Sequence, residues 1–145
     1  MLKLVSYSTY FISNNPGCVA SLGMEDETIT DAQITASSRI DGNHSAVQAR
    51  LNFQADGSKA GAWSALTNDR NQWLQVDLRS YTHITRVATQ GRNGYNEWVT
   101  KYKLQYSNDE GNFQLYKQYG ESVAKVCQLQ LSSSQRSKGQ YLKRP

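Results

Sequence analysis

The stretch QWLQVDL at residues 72–78 decides the fold class, because apolar and polar residues alternate along it after its tryptophan. Its apolar residues share one face and its polar residues share the other: Leu74, Val76 and Leu78 against Gln75 and Asp77. A period of two residues is typical of a β-strand with one buried and one solvated face. The stretch therefore predicts a strand in a sheet that covers a core.

Similar strand signals recur along the chain at short and nearly regular spacing. Residues 100–107 alternate again in the same way, and residues 84–90 are rich in threonine and valine, which favour strands. Phe113, Leu115 and Tyr119 predict one more strand, and asparagine, aspartate and glycine form turn signals between the segments. No long stretch keeps the apolar period of a helix. The chain is therefore predicted to be all-β, as an antiparallel sandwich or barrel.

Length, composition and charge exclude several classes of protein. The 145 residues suffice for one domain, and the longest charge-free stretch, residues 4–24, is too polar to predict a membrane span. The net charge of +4 arises in residues 115–145, which hold six Lys or Arg residues and one Glu. A basic excess confined to a serine-rich tail argues against a nucleic-acid-binding face.

Motifs for catalysis and metal binding are missing from the sequence. The HExxH, GxSxG, P-loop and GxGxxG patterns do not occur, and neither His44 nor His83 is flanked by a triad partner, so no enzyme is predicted. The spacing of Cys18 and Cys127 matches no metal-binding motif. The two cysteines can either form one disulfide or remain free thiols. Residues 1–17 are interpreted as an N-terminal extension and a weak signal-peptide candidate.

Seven short motifs occur in an order that is more specific than any one of them. In chain order they are Cys18 with LGME at 22–25, ITASS at 34–38, ARL at 49–51, AW at 62–63, WLQVDL at 73–78, TQGR at 89–92 and KLQYS at 103–107. Together they resemble the discoidin domain, also called the coagulation-factor type C domain. The resemblance covers residues 18–119. Residues 120–145 are interpreted as a divergent, basic Ser/Gln-rich tail that is predicted to be disordered apart from one weak strand signal around Cys127.

The resemblance implies a jelly-roll β-sandwich whose loops project from one end as binding spikes. Modules of this family are extracellular and non-catalytic, and they bind glycans, anionic phospholipid, collagen or other cell-surface proteins. Trp63, Trp73 and Arg50 match scaffold positions of the family. The family's closing strands, and the cysteine that pairs with the position of Cys18, are not found after Tyr119. The resemblance therefore implies a C-terminally truncated member in which the closing strands are missing or replaced.

The family's first spike corresponds to residues 39–45, called loop 1 below. Its candidate ligand contacts are an apolar tip and four groups able to hydrogen-bond a sugar: Ile40 with Arg39, Asp41, Asn43 and His44. A polar surface loop closed by an Asp-Gly turn is the alternative. Asn43 also begins the only Asn-x-Ser/Thr sequon of the chain and is therefore a candidate glycosylation site.

The second spike corresponds to residues 52–59, called loop 2. Phe53 is a candidate for stacking on a sugar, with half-buried packing as the alternative, and Lys59 is a candidate polar contact. Asp56 stands where some carbohydrate-binding relatives place a calcium ligand. Calcium takes six to eight oxygen ligands, whereas this segment offers one carboxylate. An ordinary Asp-Gly turn is therefore favoured over a calcium site. No cofactor is required by this interpretation, and calcium stays a candidate ligand.

The third spike corresponds to residues 91–98, called loop 3, which joins two predicted strands. Its candidate ligand contacts combine planar polar groups with one aromatic ring: Arg92, Asn93, Asn96 and Glu97 with Tyr95. This mixture suits sugars, which present C–H faces to aromatic rings and hydroxyl pairs to polar groups. A hairpin turn at Asn93-Gly94 is the structural alternative for that pair, and Trp98 is expected to pack beneath the loop.

These features predict an extracellular recognition or adhesion module that binds cell-surface glycans or glycoproteins. Phosphatidylserine-dependent membrane binding and binding of collagen-type matrix proteins are the two alternatives. Because shallow sugar sites are weak, a place within a larger multidomain protein would add avidity. The whole interpretation requires that loops 1, 2 and 3 lie together at one end of the sandwich.

Overall fold

The structure is a computed structural model that describes residues 1–5, 11–14, 21–82, 84–109, 111–117, 126–128 and 140–142. Within these ranges the secondary structure comprises nine β-strands and three short 3-10 helices, without an α-helix. No helix in the same ranges has the length and apolarity needed to span a bilayer. The predicted all-β class is confirmed.

The nine strands form two antiparallel sheets. They are β1 (Leu2–Val5), β2 (Phe11–Asn14), β3 (Ile34–Ala36), β4 (Trp73–Val76), β5 (Ile84–Thr89), β6 (Lys101–Tyr106), β7 (Gln114–Leu115), β8 (Val126–Gln128) and β9 (Gln140–Leu142). The larger sheet has the order β3-β4-β1-β6-β7, and β8 also pairs with β6. The smaller sheet has the order β2-β5-β9. The 3-10 helices are Asp31–Gln33, Gly42–His44 and Ala46–Ala49.

One buried apolar cluster receives side chains from both sheets. Leu74 and Tyr102 enter it from the larger sheet, and Val87 enters it from the smaller one. Because the same core is shared, the two sheets pack face to face as a sandwich. The sandwich predicted for the chain is therefore the observed architecture.

The two alternating segments behave as their patterns predict. In β4, Leu74 and Val76 are buried while Trp73 and Gln75 are half-buried. In β6, Tyr102 and Leu104 are buried while the alternating lysines face solvent. Tyr106 breaks the pattern, since it is 41% exposed at the end of β6. Its hydroxyl donates a hydrogen bond to the side chain of Gln114 at 3.3 Å.

The described residues of the segment interpreted as an N-terminal extension supply one strand to each sheet. β1 lies between β4 and β6, with Leu4 opposite both Leu74 and Leu104. β2 pairs with β5 in the smaller sheet. Four residues are too few for a pattern to reveal a central strand, because the partners that define it are distant in sequence. Cys18 lies outside the described residues, so one disulfide and two free thiols both stay open, as in the sequence.

Two strands also lie beyond residue 119: β8, where the sequence gives the weak strand signal around Cys127, and β9, in the part of the tail that is predicted to be disordered. β8 contains Cys127 and pairs with β6, and β9 pairs with β5. Segments from both ends of the chain thus take part in the two sheets. The domain boundary at residue 119 remains a prediction, and the rest of the tail lies outside the described residues, as does His83.

The scaffold residues named from the resemblance are arranged around the core. Trp63 is 1% exposed and its Nε1 donates a hydrogen bond to the Ser38 carbonyl oxygen at 2.8 Å. Trp73 is half-buried in β4. Buried Arg50 donates to the Met24 carbonyl oxygen at 2.9 Å. Its other terminal nitrogen lies 2.6 Å from a carboxylate oxygen of Asp31.

Candidate functional site

Loop 1 follows β3 and is ordered by the carboxylate of Asp41. This residue caps the 3-10 helix Gly42–His44, and its Oδ1 accepts a hydrogen bond from the Asn43 backbone N–H at 2.8 Å. The Nδ1 atom of His44 lies 2.8 Å from the same oxygen. The hydrogen bond from the His44 ring lowers the pKa of Asp41 below its ordinary value. Asp41 and His44 thus stabilise the loop, while Arg39 and Asn43 are exposed.

Loop 2 is a tight turn built on Asp56. The Oδ1 atom of Asp56 accepts three hydrogen bonds from the next residues: Ser58 N–H at 3.0 Å, Ser58 Oγ at 2.8 Å and Lys59 N–H at 2.8 Å. The hydroxyl of Ser58 makes the largest contribution to lowering the pKa of Asp56. Gly57 has φ +82°, a left-handed conformation that glycine adopts without strain. Phe53 is half-buried and Lys59 is exposed.

The residues around Asp56 do not fit a calcium ion. One of its carboxylate oxygens is already saturated by donors of its own loop. Across the described ranges, no group of three or more His, Cys, Asp or Glu side chains converges in a way that would hold a metal. Calcium prefers six to eight oxygens with several carboxylates among them. The observed contacts are those of the Asp-Gly turn that the sequence favours.

Loop 3 joins β5 to β6, and both backbone and side-chain contacts between Arg92 and Glu97 hold it closed. The Arg92 N–H donates to the Glu97 carbonyl oxygen at 2.9 Å, and the Arg92 Nη1 lies 2.8 Å from Glu97 Oε2. Gly94 has φ +74° and the Tyr95 N–H donates to the Arg92 carbonyl oxygen at 3.4 Å, so Asn93 and Gly94 form a turn in which the glycine takes the left-handed position. The Arg92 guanidinium stacks on the Tyr95 ring at 3.8 Å from the ring centroid. One face of Tyr95 is therefore covered, although 59% of the residue is exposed.

Direct hydrogen bonds join the three loops. The Ala60 N–H, just after loop 2, donates to the Asn43 carbonyl oxygen of loop 1 at 2.8 Å. The Asn93 N–H of loop 3 donates to the Gly61 carbonyl oxygen at 3.2 Å. Loops 1, 2 and 3 therefore lie side by side, which is the arrangement that the sequence interpretation requires.

Asn93 acts as the connector between loops 2 and 3. Its Nδ2 donates to Gln54 Oε1 at 2.9 Å, and its Oδ1 accepts from the Ala55 N–H at 3.3 Å. Gly61 packs so closely on Asn93 that a Cβ there would lie 2.5 Å from the Asn93 Cβ. The contacts of Asn93 are thus made within the protein, and they position the loops that surround it.

A groove of about 580 Å³ runs along the inner side of loop 3. Its lining residues are Ala62, Trp63, Ser64, Asn68, Arg92, Asn96, Glu97, Trp98, Val99 and Thr100. This volume is within the ~300–1,000 Å³ range of small-molecule sites in proteins. Amides, hydroxyls and one ion pair surround indole rings, so the groove offers hydrogen bonds and an apolar floor together.

The groove brings together some of the predicted residues and leaves others outside. Arg92, Asn96 and Glu97 line it together with Trp98. The candidates in loops 1 and 2 do not line it, although the loops are neighbours. The lining groups of residues 62–64, together with Asn68, were not predicted as ligand contacts. No local pattern marks them, since only the tertiary fold brings them to loop 3.

Two exposed apolar side chains lie beside the groove residue Ser64. Ile40 is 54% exposed, and its N–H donates to the Ser64 carbonyl oxygen at 2.9 Å. Leu66 is 62% exposed, and its N–H donates to Ser38 Oγ at 3.1 Å. Ile40 is thus exposed, and Leu66, which the sequence pattern did not single out, is a second exposed apolar residue.

The fold and these loops define a class of protein, a β-sandwich module with a polar groove built on its connecting loops. A family model described as F5/8 type C domain matches residues 33–143. Because the match covers more than half of the chain, the chain belongs to the F5/8 type C, or discoidin, domain family. The resemblance noted in the sequence is confirmed.

The relatives are considerably longer than this chain. It is 35% identical over 133 residues to lactadherin of Sus scrofa, covering 86% of the chain and 32% of that protein. Lactadherin of Bos taurus is 36% identical over 118 residues, covering 76% and 27% respectively. The human (Homo sapiens) protein named EGF-like repeat and discoidin I-like domain-containing protein 3 is 39% identical over 120 residues, covering 77% and 24%. The chain thus spans about a quarter to a third of each relative.

Proposed function

We propose that this chain is an extracellular, non-catalytic recognition module that binds cell-surface glycans through loop 3 and its groove. The observation that carries the proposal is the combination of a polar groove with an exposed aromatic ring at its rim. Tyr95 provides the ring, and the Arg92–Glu97 pair provides charged hydrogen-bonding groups next to it. Neighbouring loops hold this arrangement in place before any ligand arrives.

The chemistry of the rim suits a sugar. Arg92 covers one face of Tyr95, but 59% of the residue is exposed, so the ring leaves apolar surface next to the guanidinium for the C–H groups of a pyranose. A sugar hydroxyl both donates and accepts hydrogen bonds, as the amide of Asn96 and the hydroxyl of Thr100 also do. A sugar stacked on Tyr95 would therefore meet suitable partners along the groove.

Replacing Tyr95 with alanine is expected to weaken glycan binding roughly tenfold, which corresponds to about 1.4 kcal/mol. The expected loss arises because exposed aromatic rings carry a large share of binding energy at such sites. A glycan array would identify a bound sugar, and titration calorimetry with that sugar would measure the change.

Tyr81→Ala is the matched control for this experiment. Tyr81 is 86% exposed and precedes β5, whereas loop 3 follows the other end of that strand. The control is expected to leave binding unchanged. Equal losses in both variants, or no glycan binding by the unmodified protein, would contradict the proposed function.

Asn43 is proposed to carry an N-linked glycan when the chain passes through a secretory pathway. Asn43 is exposed in loop 1, so an attached glycan would meet no packed neighbour. Expression in a secretory eukaryotic cell is expected to give a mass increase that peptide-N-glycosidase removes. The Asn43→Gln variant should lack this increase; a secreted protein without any glycan would contradict the assignment.

A second candidate function is binding to anionic membranes, and the exposed pair Ile40 and Leu66 favours it. Insertion of apolar side chains into the interface supplies membrane affinity, and nearby Arg39 would add attraction to anionic lipid. Vesicles with and without phosphatidylserine test this candidate. Binding that requires the anionic lipid, is lost in Ile40→Ser and persists with excess free sugar would support it over the glycan.

A place for the chain within a longer protein, next to other modules, also belongs to this proposal. The relatives are three to four times as long as the matched segment. Linked copies or neighbouring modules would raise the avidity of a weak sugar site. Binding to matrix proteins of the collagen type is the remaining outcome if neither glycans nor vesicles are bound.

A further inference from the structure

We propose that Glu97 sets the charge selectivity of the groove, so that the site accepts neutral sugars and discriminates against acidic ones. This inference rests on the proposed glycan-binding function and specifies its ligand class. It arises from how the single cation of the groove is held. Arg92 and Glu97 are the only charged residues that line the groove within the described ranges.

The Arg92 guanidinium is held in a fixed place. Its side chain is only 16% exposed, it stacks on Tyr95, and its Nη1 lies 2.8 Å from Glu97 Oε2. The Nε of Arg92 is buried and has no hydrogen-bond acceptor among the described residues. The Glu97 carboxylate therefore balances the charge of a guanidinium that lacks one of its hydrogen bonds.

The carboxylate of Glu97 lies on the solvent side of this pair. Its side chain is 60% exposed, in contrast to that of Arg92. A ligand entering the groove therefore meets a carboxylate beside the guanidinium rather than an open cation. A carboxylated or sulfated sugar would be repelled by Glu97, or would have to displace it from Arg92.

A neutral sugar avoids this conflict. Adjacent hydroxyls can accept from the guanidinium and donate to the carboxylate at the same time, since a hydroxyl has both capacities. The ion pair then stays intact while the ligand binds. The Arg92–Glu97 pair lines the groove, where a ligand can meet it. In the second arginine pair, Arg50–Asp31, the arginine is buried in the scaffold and also donates to the Met24 carbonyl oxygen.

The experiment compares the protein and its Glu97→Gln variant on an array of matched glycans, each neutral sugar being paired with its sialylated or sulfated counterpart. The unmodified protein is expected to prefer the neutral members roughly tenfold or more. Glu97→Gln is expected to reverse or abolish that preference, because it removes the competing carboxylate. It leaves intact the hydrogen bond from the Arg92 N–H to the carbonyl oxygen of residue 97. Glu97→Ala is the second variant, and thermal melting checks that both fold.

Glu27→Gln is the matched control, since it removes the same charge from an exposed residue that does not line the groove. It is expected to keep the neutral preference. Equal binding of neutral and acidic sugars by the unmodified protein, or an unchanged preference in both Glu97 variants, would overturn the role of Glu97 while the glycan function stands. Absence of binding to every glycan would overturn the proposed function and this inference with it.

Discussion

Alanine in place of Gly61 is expected to reduce glycan binding about a hundredfold, or about 2.7 kcal/mol. The added Cβ would lie 2.5 Å from the Cβ of Asn93 and 3.0 Å from its carbonyl oxygen. Carbon atoms pack optimally at ~3.5–4.0 Å, so loop 3 has to move away by about an ångström. Binding sites tolerate displacements of only about 0.5 Å. The substitution is therefore expected to shift the whole of loop 3, so that all of its ligand contacts are disturbed.

The measurement is a titration of the identified glycan against the variant, with a thermal melt of the same sample. Overpacking at this contact is expected to cost about 1–3 kcal/mol of stability, which a folded domain survives. Gly111→Ala is the control, because a Cβ at Gly111 meets no atom within 4 Å. Unaltered binding in Gly61→Ala would show that the contact between loops 2 and 3 does not position the site.

The strand pattern was predictable because it is local. The alternation in β4 and β6 depends on neighbours two residues apart, so burial of Leu74 and Leu104 follows directly from it. The turns at Gly57 and Gly94 were predictable for the same reason, since an Asp-Gly or Asn-Gly pair carries its own conformational preference. Tyr106 departs from the alternation at the last residue of β6, where it is paired with both neighbouring strands but 41% exposed.

The groove was not predictable, because its walls are separated along the chain. Ser64 and Asn68 belong to a segment that resembles an ordinary turn, and they become lining residues only where loop 3 folds against them. The connector Asn93 forms hydrogen bonds with Ala55 and Gln54, which precede it in the sequence by 38 and 39 positions. Proximity of the three loops therefore came from the resemblance, and the structure supplies the hydrogen bonds that explain it.

The central position of β1 has a similar explanation. A strand of four residues has too little pattern to distinguish it from a diluted apolar leader. Its place is determined by β4 and β6, whose register sets Leu4 between Leu74 and Leu104. In physical terms the sheet accepts β1 because a strand between two antiparallel partners satisfies the backbone groups of all three.

Trp63 connects the scaffold with the site, because it is 1% exposed in the core and also lines the groove. Its substitution by alanine is expected to lower the free energy of unfolding by about 3–5 kcal/mol, measured by urea denaturation. That is a large part of the ~5–15 kcal/mol that stabilises a typical domain.

Trp63→Phe separates the two contributions of the indole. It keeps most of the apolar volume but removes the hydrogen bond to the Ser38 carbonyl oxygen, and is expected to cost ~1–3 kcal/mol. Tyr81→Ala is expected to stay within ~0.5 kcal/mol, as surface substitutions do. A loss below about 1 kcal/mol in Trp63→Ala would contradict a core role. Trp63 donates to Ser38, two residues beyond β3, and the carbonyl oxygen of the neighbouring Ser64 accepts from the Ile40 N–H, so hydrogen bonds join the Trp63 segment to the start of loop 1.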